Sequence, residues 1–228
     1  MHFAFGSISP SYLALILFST VLGMATQAYI RSTYKKWSEV PSGLGRTGAD
    51  IARRMLNENG AGDCKIGTVA GSLTDHYNPS ENCLNLSSEN YSGGSVASVA
   101  VACHEAGHAV QTAKGYMFGK IRTALVPVVN FAQGTWIIVF FAGVIMRLAG
   151  LVNVAILLFA FSVLFQLVTL PVEIDASRRA IKFLDSTGSA IDKQGAKSVL
   201  TAAALTYVAA ALVSIANLLY LLARTNRR

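Results

Sequence analysis

A chain of 228 residues with 53% hydrophobic and only 14% charged side chains is too apolar for an ordinary soluble domain, where about a quarter are charged. The formal charge of +7 does not mark a nucleic-acid partner, because the basic residues sit at the ends of apolar runs and form no stripe interleaved with aromatics. Cys64, Cys83 and Cys103 contain no CxxC pair, which argues against a disulfide framework and a thiolate zinc site; reduced, packed thiols suit a cytoplasmic compartment.

The first apolar run, 8–30, carries no charge and is long enough to span a bilayer. Its basic cluster, Arg31, Lys35 and Lys36, follows the run. That order fits a retained anchor with its N-terminus outside better than a cleaved signal peptide. The polar segment 32–133 is the one stretch able to build a water-facing domain. Within it, 41–48 is a turn-rich entry, and Thr47 or Asp50 caps a short amphipathic helix bearing Ile51, Met55 and Leu56, ending near Asn59 and Gly60. A short strand is expected over 65–69, a turn at Asn78-Pro79, and a second strand over 83–86. Ser95 caps a helix reaching about Ala113 and stopped by Gly115. Its residues before position 104 are almost all apolar, which predicts burial at the domain centre.

Two further spans, 135–149 and 151–172, read as a membrane hairpin with a very short turn near Gly150 and Asn153. Arg147 is expected to snorkel at the outer face, since a charge deep in lipid is costly. A polar, basic stretch over 173–197 precedes the last run, 199–222, whose small residues suit close helix packing. The expected fold class is mainly α: a four-span membrane protein with a small α+β domain. The expected divisions are an anchor (1–31), a cytoplasmic domain (32–133), the hairpin (134–172), a further helix (173–198) and a C-terminal membrane helix (199–228).

The chemistry is concentrated in His104-Glu105-Ala106-Gly107-His108. On a helix, the i, i+4 spacing puts both imidazoles on one face, where they can take two corners of a zinc tetrahedron. Glu105 then lies beside that face, placed to take a proton from a water activated at the metal. Gly107 leaves room for substrate or a neighbouring helix. A bland alternative is a pair of helix histidines satisfied by hydrogen bonds. Lys114 and Gly115 occupy the region where a third histidine of the HExxHxxGxxH form would fall. His2 and His76 are the other histidines, so a carboxylate completing a His2Glu site is the better expectation, and Glu173 is the strongest candidate. Two spans between 133 and 173 return the chain to the side of the HEAGH helix; an odd number would not. The competing reading of Glu173 is a carboxylate favoured by a helix N-terminus. Asp175 lies about 200° round the helix and is poorly placed to share the metal. Ser177, one turn after Glu173, can hydrogen-bond a ligand. Arg178 and Arg179 can pair with Asp175, hold lipid phosphates or face the substrate.

The segments Leu73-Thr-Asp-His-Tyr-Asn-Pro, Val99-Ala-Val-Ala-Cys-His-Glu-Ala-Gly-His-Ala-Val-Gln and Glu173-Ile-Asp-Ala-Ser-Arg-Arg-Ala, in this order around a membrane hairpin, resemble the YugP-like neutral zinc metallopeptidases of bacterial membranes. With the four apolar runs, the resemblance covers nearly the whole chain. It implies a gluzincin-type zinc peptidase with metal ligands at His104, His108 and Glu173 and the base at Glu105. The layout is also similar to HtpX-like membrane proteases, in which the Glu is followed four residues later by Asp; here Ser177 stands in that place. By the same likeness, 83–87 is expected to be an edge strand that pairs with substrate backbone. His76 or Tyr77 is expected either to polarise the scissile carbonyl or to stabilise a turn.

These readings lead to a zinc-dependent endopeptidase of the bacterial inner membrane, in contact with lipid and acting on a protein or peptide substrate. A non-proteolytic membrane adaptor or scaffold with a structural zinc is the alternative. The positive-inside rule places 31–133 and 173–198 in the cytoplasm but leaves Arg224 to Arg228 outside. That conflict would vanish if the last helix were interfacial or crossed incompletely.

Overall fold

The computed structural model describes residues 9–187 and 191–226. His2, the start of the first run at Ile8, residues 188–190 of the basic stretch, and Arg227 and Arg228 lie outside the described residues. Helix α1 (Pro10–Ser38) starts where the Ser9 hydroxyl accepts the Tyr12 N–H, with proline at the first helical position. Both devices satisfy a helix start, since the first N–H groups have no intrahelical partner. It continues beyond the apolar run into the small α+β domain, where Thr33 and Tyr34 are buried.

Helix α2 (Gly48–Glu58) opens with a reciprocal capping box: the Thr47 hydroxyl accepts the Asp50 N–H, and the Asp50 carboxylate accepts the Thr47 N–H. Both expected capping residues therefore act together. Strands β1 (Lys65–Val69), β2 (His76–Asn78) and β3 (Cys83–Ser87) form one sheet in the order β1-β3-β2. β3 is parallel to β1 and antiparallel to β2. This corrects the expectation that 83–87 is an edge strand. The chain crosses from β1 to the far side before a short turn brings β3 back into the gap, so β3 is central and β2 is an edge. A short helix α3 (Ser88–Ser92) leads to α4 (Val96–Ala113), capped by the Ser95 hydroxyl on the Ser98 N–H. Gly115, with φ +63°, permits the reversal after α4.

Helix α5 (Met117–Ile145) and helix α6 (Ala149–Ser186) make the hairpin. Both are longer than their apolar runs. α5 begins at Met117 rather than 135, because Asn130, Gln133 and Gly134 interrupt the apolar pattern without ending the helix. α6 runs without interruption from the membrane through Glu173 to Ser186, so no separate helix begins at 173. At about 1.5 Å per residue it is about 57 Å long, against about 30 Å for a hydrocarbon core. Its far part must project. The hairpin turn lies at 146–148, not at Gly150, and Arg147 occupies it with φ +55°. The turn is tight because Gly143 lets the helices meet: a Cβ there would lie 2.8 Å from the Val152 amide nitrogen.

Helix α7 (Lys193–Asn226) completes the set, and among the described residues four helices are long and apolar enough to cross a membrane. α7 runs antiparallel beside α1 along its whole length. Gly195 packs on Trp37 at one end, and Ser9 hydrogen-bonds Tyr220 (2.9 Å) at the other, where Tyr12 stacks on the same ring. α7 is thus as long and apolar as a span requires. The main core joins α2, the sheet, α4 and the domain ends of α1, α6 and α7, with Met55, Leu56, Leu84, Leu86, Val96 and Val99 essentially inaccessible.

Candidate active site

The apolar first half of α4 anchors the motif by burial. Val96, Val99, Ala100, Ala102 and Cys103 are enclosed, so the helix cannot rotate without exposing them, and the stripe that runs on from Ala100 through residues 104, 108 and 111 is held toward α6. Gly107 is the contact point. A Cβ there would stand 2.7 Å from the Ala176 carbonyl oxygen, so glycine is needed for the helix approach rather than for substrate. Burial pushes the Cys103 thiol up, which keeps it protonated and unsuited to ligation.

This approach brings His104, His108 and Glu173 together, with one donor atom from each lying within 4.8 Å of the others. Glu173 Oε2 is 3.2 Å from His104 Nε2 and 3.5 Å from His108 Nε2. Ligands at zinc distances on a tetrahedron stand about 3.3–3.6 Å apart, so this donor set fits the metal. Pro171 lies two residues before Glu173 inside α6 and deprives the Leu167 carbonyl of its helical donor.

The other ring nitrogens are also held. The Ser177 hydroxyl meets His104 Nδ1 at 3.1 Å, and Gln111 Oε1 meets His108 Nδ1 at 3.0 Å. The Gln111 amide donates to the Val172 carbonyl (2.8 Å) and to Asp175 Oδ2 (2.8 Å), which leaves its oxygen to accept. Gln111 Oε1 therefore accepts from His108 Nδ1–H, and Nε2, 3.5 Å from Glu173, is the nitrogen turned toward the position an ion would take. Asp175 is held in turn by Arg179 at 2.6 Å, and that guanidinium lies over the Tyr116 ring. Asp175 thus sits behind the ligands, off the metal, and Arg179 is its partner. Gln111 was not among the expected site residues. Its place three residues after His108 and seven after His104, on one helix face, was the available signal.

Glu105 lies beside the ligands and accepts the Tyr77 N–H at 3.1 Å. Burial pushes its carboxyl above the usual range; Glu173 and Asp75 add to this, while the two imidazoles oppose it. Burial pulls His108 down, but the bond to Glu173 and the nearby carboxylates leave it raised overall. Tyr77 contributes its backbone here, and its hydroxyl turns away to Asn82 (3.0 Å). His76 does not join the cluster. Its ring is exposed and lies between the Thr74 carbonyl and the Asn85 amide. Asp75 clamps this loop by accepting the Ser87 N–H (2.7 Å) and the Asn90 amide (2.9 Å). Two side chains from membrane helices reach the same region. Tyr207 of α7 lies close to Glu105 and Glu173, and Arg122 of α5 has its Nε buried without a partner among the described residues.

Fold and site together define a multi-pass membrane protein whose small α+β domain carries a candidate His–His–Glu metal centre. The family model described as "Putative neutral zinc metallopeptidase" matches residues 12–226. The chain belongs to that family. It is 43% identical over 211 residues to the protein called "Putative membrane protease YugP" of Bacillus subtilis (strain 168), covering 90% of this chain and 94% of that one. No solved structure matches the chain.

Proposed function

We propose that the protein is a zinc-dependent endopeptidase of the bacterial cell membrane, with its site in the cytoplasm. The convergence of His104, His108 and Glu173 beside a half-buried carboxylate, Glu105, carries this reading. Zinc, when bound, supplies Lewis acidity to the scissile carbonyl and lowers the pKa of water. Ser177 and Gln111 orient the two imidazoles toward the ion. Glu105 takes a proton from the attacking water and returns it to the leaving amine; its raised affinity for protons suits a group that must hold one between those events. The free edge of β2 faces Glu105 through the Tyr77 N–H, so β2, rather than β3, is the strand that pairs with substrate backbone. His76, exposed between the Thr74 carbonyl and the Asn85 amide, is assigned no step in this reading.

The orientation rests on charge. Arg31, Lys35, Lys36, Arg178, Arg179, Lys182, Lys193 and Lys197 lie toward the domain end, against Arg147 and Arg224 at the other end among the described residues. The bias of basic residues toward the cytoplasm then puts the domain inside. The test is Glu105→Gln in the purified, zinc-loaded protein. Peptide hydrolysis should fall by about 10²–10⁴-fold, the usual contribution of a general base, with zinc content unchanged. Full hydrolysis by that variant sinks the mechanism. An inert wild-type protein, with a cellular phenotype that survives Glu105→Gln, establishes the adaptor instead.

A further inference from the structure

Beside Glu105 and His104 is a cavity of about 160 Å³ that the hydrolytic mechanism leaves unused. Its walls come from α1, the 73–75 loop, α4 and α7. Ile30, Leu73, Val101, Val199, Leu200 and Ala203 make the apolar part. Most polar side chains on the wall are already engaged. Tyr34 donates to Asn90 at 2.8 Å, Asp75 is bound by Ser87 and Asn90, and Thr206 donates to the Ala203 carbonyl at 2.7 Å. His104 is held by Ser177 and Glu173, Glu105 by the Tyr77 N–H, and Tyr207 lies beside Glu173 while its ring adds apolar surface.

A hole of this size is the right volume for one large side chain. An apolar cavity of about 150 Å³ accommodates benzene. A charged or amide group entering here would lose water and find few free partners. The cavity also adjoins the base and one ligand, so a group seated in it belongs to a residue next to the bond being cut. Two of its walls are membrane helices, which explains why the sequence of the water-facing segment alone gives no sign of it.

We propose that this cavity is the specificity pocket of the site and takes one large apolar side chain, of the size of Leu, Met or Phe, flanking the scissile bond. The proposal rests on the peptidase reading and names its substrate class: polypeptides cut beside a bulky apolar residue. Val199 and Ala203, one turn apart on α7, both line the pocket, so their size bounds what it takes.

The test uses the full-length, zinc-loaded protein in detergent and a mixed peptide library, with cut sites read by mass spectrometry. The wild-type profile should favour Leu, Met or Phe over Ala and Gly by about tenfold or more at one position flanking the cut, the scale of one or more methylenes in an apolar pocket. Ala203→Leu should fill the cavity and shift that preference toward small residues by about tenfold. Val199→Ala should extend it toward larger ones, which keeps the test open if the filled variant folds poorly. A flat wild-type profile, or a profile that Val199→Ala leaves unchanged, overturns the pocket. If the wild type cuts no peptide, the peptidase reading fails by itself. Photocrosslinking with a peptide carrying p-benzoylphenylalanine then decides the pocket: adducts on 199–207 that Ala203→Leu abolishes support it, and adducts elsewhere overturn it.

Discussion

The two ends of this molecule are stabilised in different ways. At the domain end, α4 packs against α2, the sheet and α6, and its polar residues Ser98, His104 and Gln111 are buried and bonded. At the hairpin end, the buried cluster consists of Val144, Val152 and Ile156, while Met24, Phe131, Ile138 and Leu219 face outward. The difference follows from the solvent. Lipid exacts little cost for exposed apolar surface, so the hairpin is held by close packing and internal backbone bonds. The domain must close a core against water, and that closure is what pins three ligand side chains to within a few ångströms. Rigidity at the site is therefore a property of the α4–α6 contact, and the membrane part delivers α6 to it.

Removing a ligand should give the largest effect. Glu173→Ala leaves two imidazoles without their shared carboxylate, and zinc affinity should fall by more than the roughly 10–100-fold expected for losing a supporting partner; competition with a chelating dye measures it. Retained wild-type affinity would remove Glu173 from the metal site. Gln111→Leu should come next. It frees His108 Nδ1 and leaves Asp175 short of a donor, so zinc affinity should drop by about 10–100-fold, with the helical content seen by circular dichroism unchanged. If Gln111→Leu binds zinc as the wild type does, the α4–α6 bonding chain is structural only.

Packing at the same contact is tested by Gly107→Ala. The added methyl meets the Ala176 backbone, which cannot swing aside as a side chain can. A loss of about 1–3 kcal/mol is expected from overpacking, read from thermal or denaturant unfolding in detergent. The smallest effect belongs to the lipid-facing surface: Ile138→Leu should change stability by no more than about 0.5 kcal/mol. A large loss there would mean that Ile138 packs against protein, and the contrast between the two ends would have to be redrawn.

Much of the domain was legible because its signals are local. Thr47 and Asp50, Ser95, and Gly60 and Gly115 mark helix ends through bonds and backbone angles within a few residues of themselves. The HEAGH spacing likewise places two imidazoles on one face without reference to anything distant. Helix ends lacking such markers were misjudged. Apolar runs locate the part of a helix that lies in lipid, and they say nothing about the turns of α5 and α6 that extend beyond it.

The sequence alone thus determined the four membrane helices, the caps, the two short strands at 65–69 and 83–86, and the motif with its candidate carboxylate. Only the tertiary structure decided that β3 lies between β1 and β2, that Gln111 links His108 to Asp175, and that α1 and α7 wall a cavity beside Glu105. Each of these depends on which segments meet across long stretches of chain. Hydropathy and capping report the energy of a residue in its own element, whereas strand order and helix contact depend on pairings that no local pattern encodes.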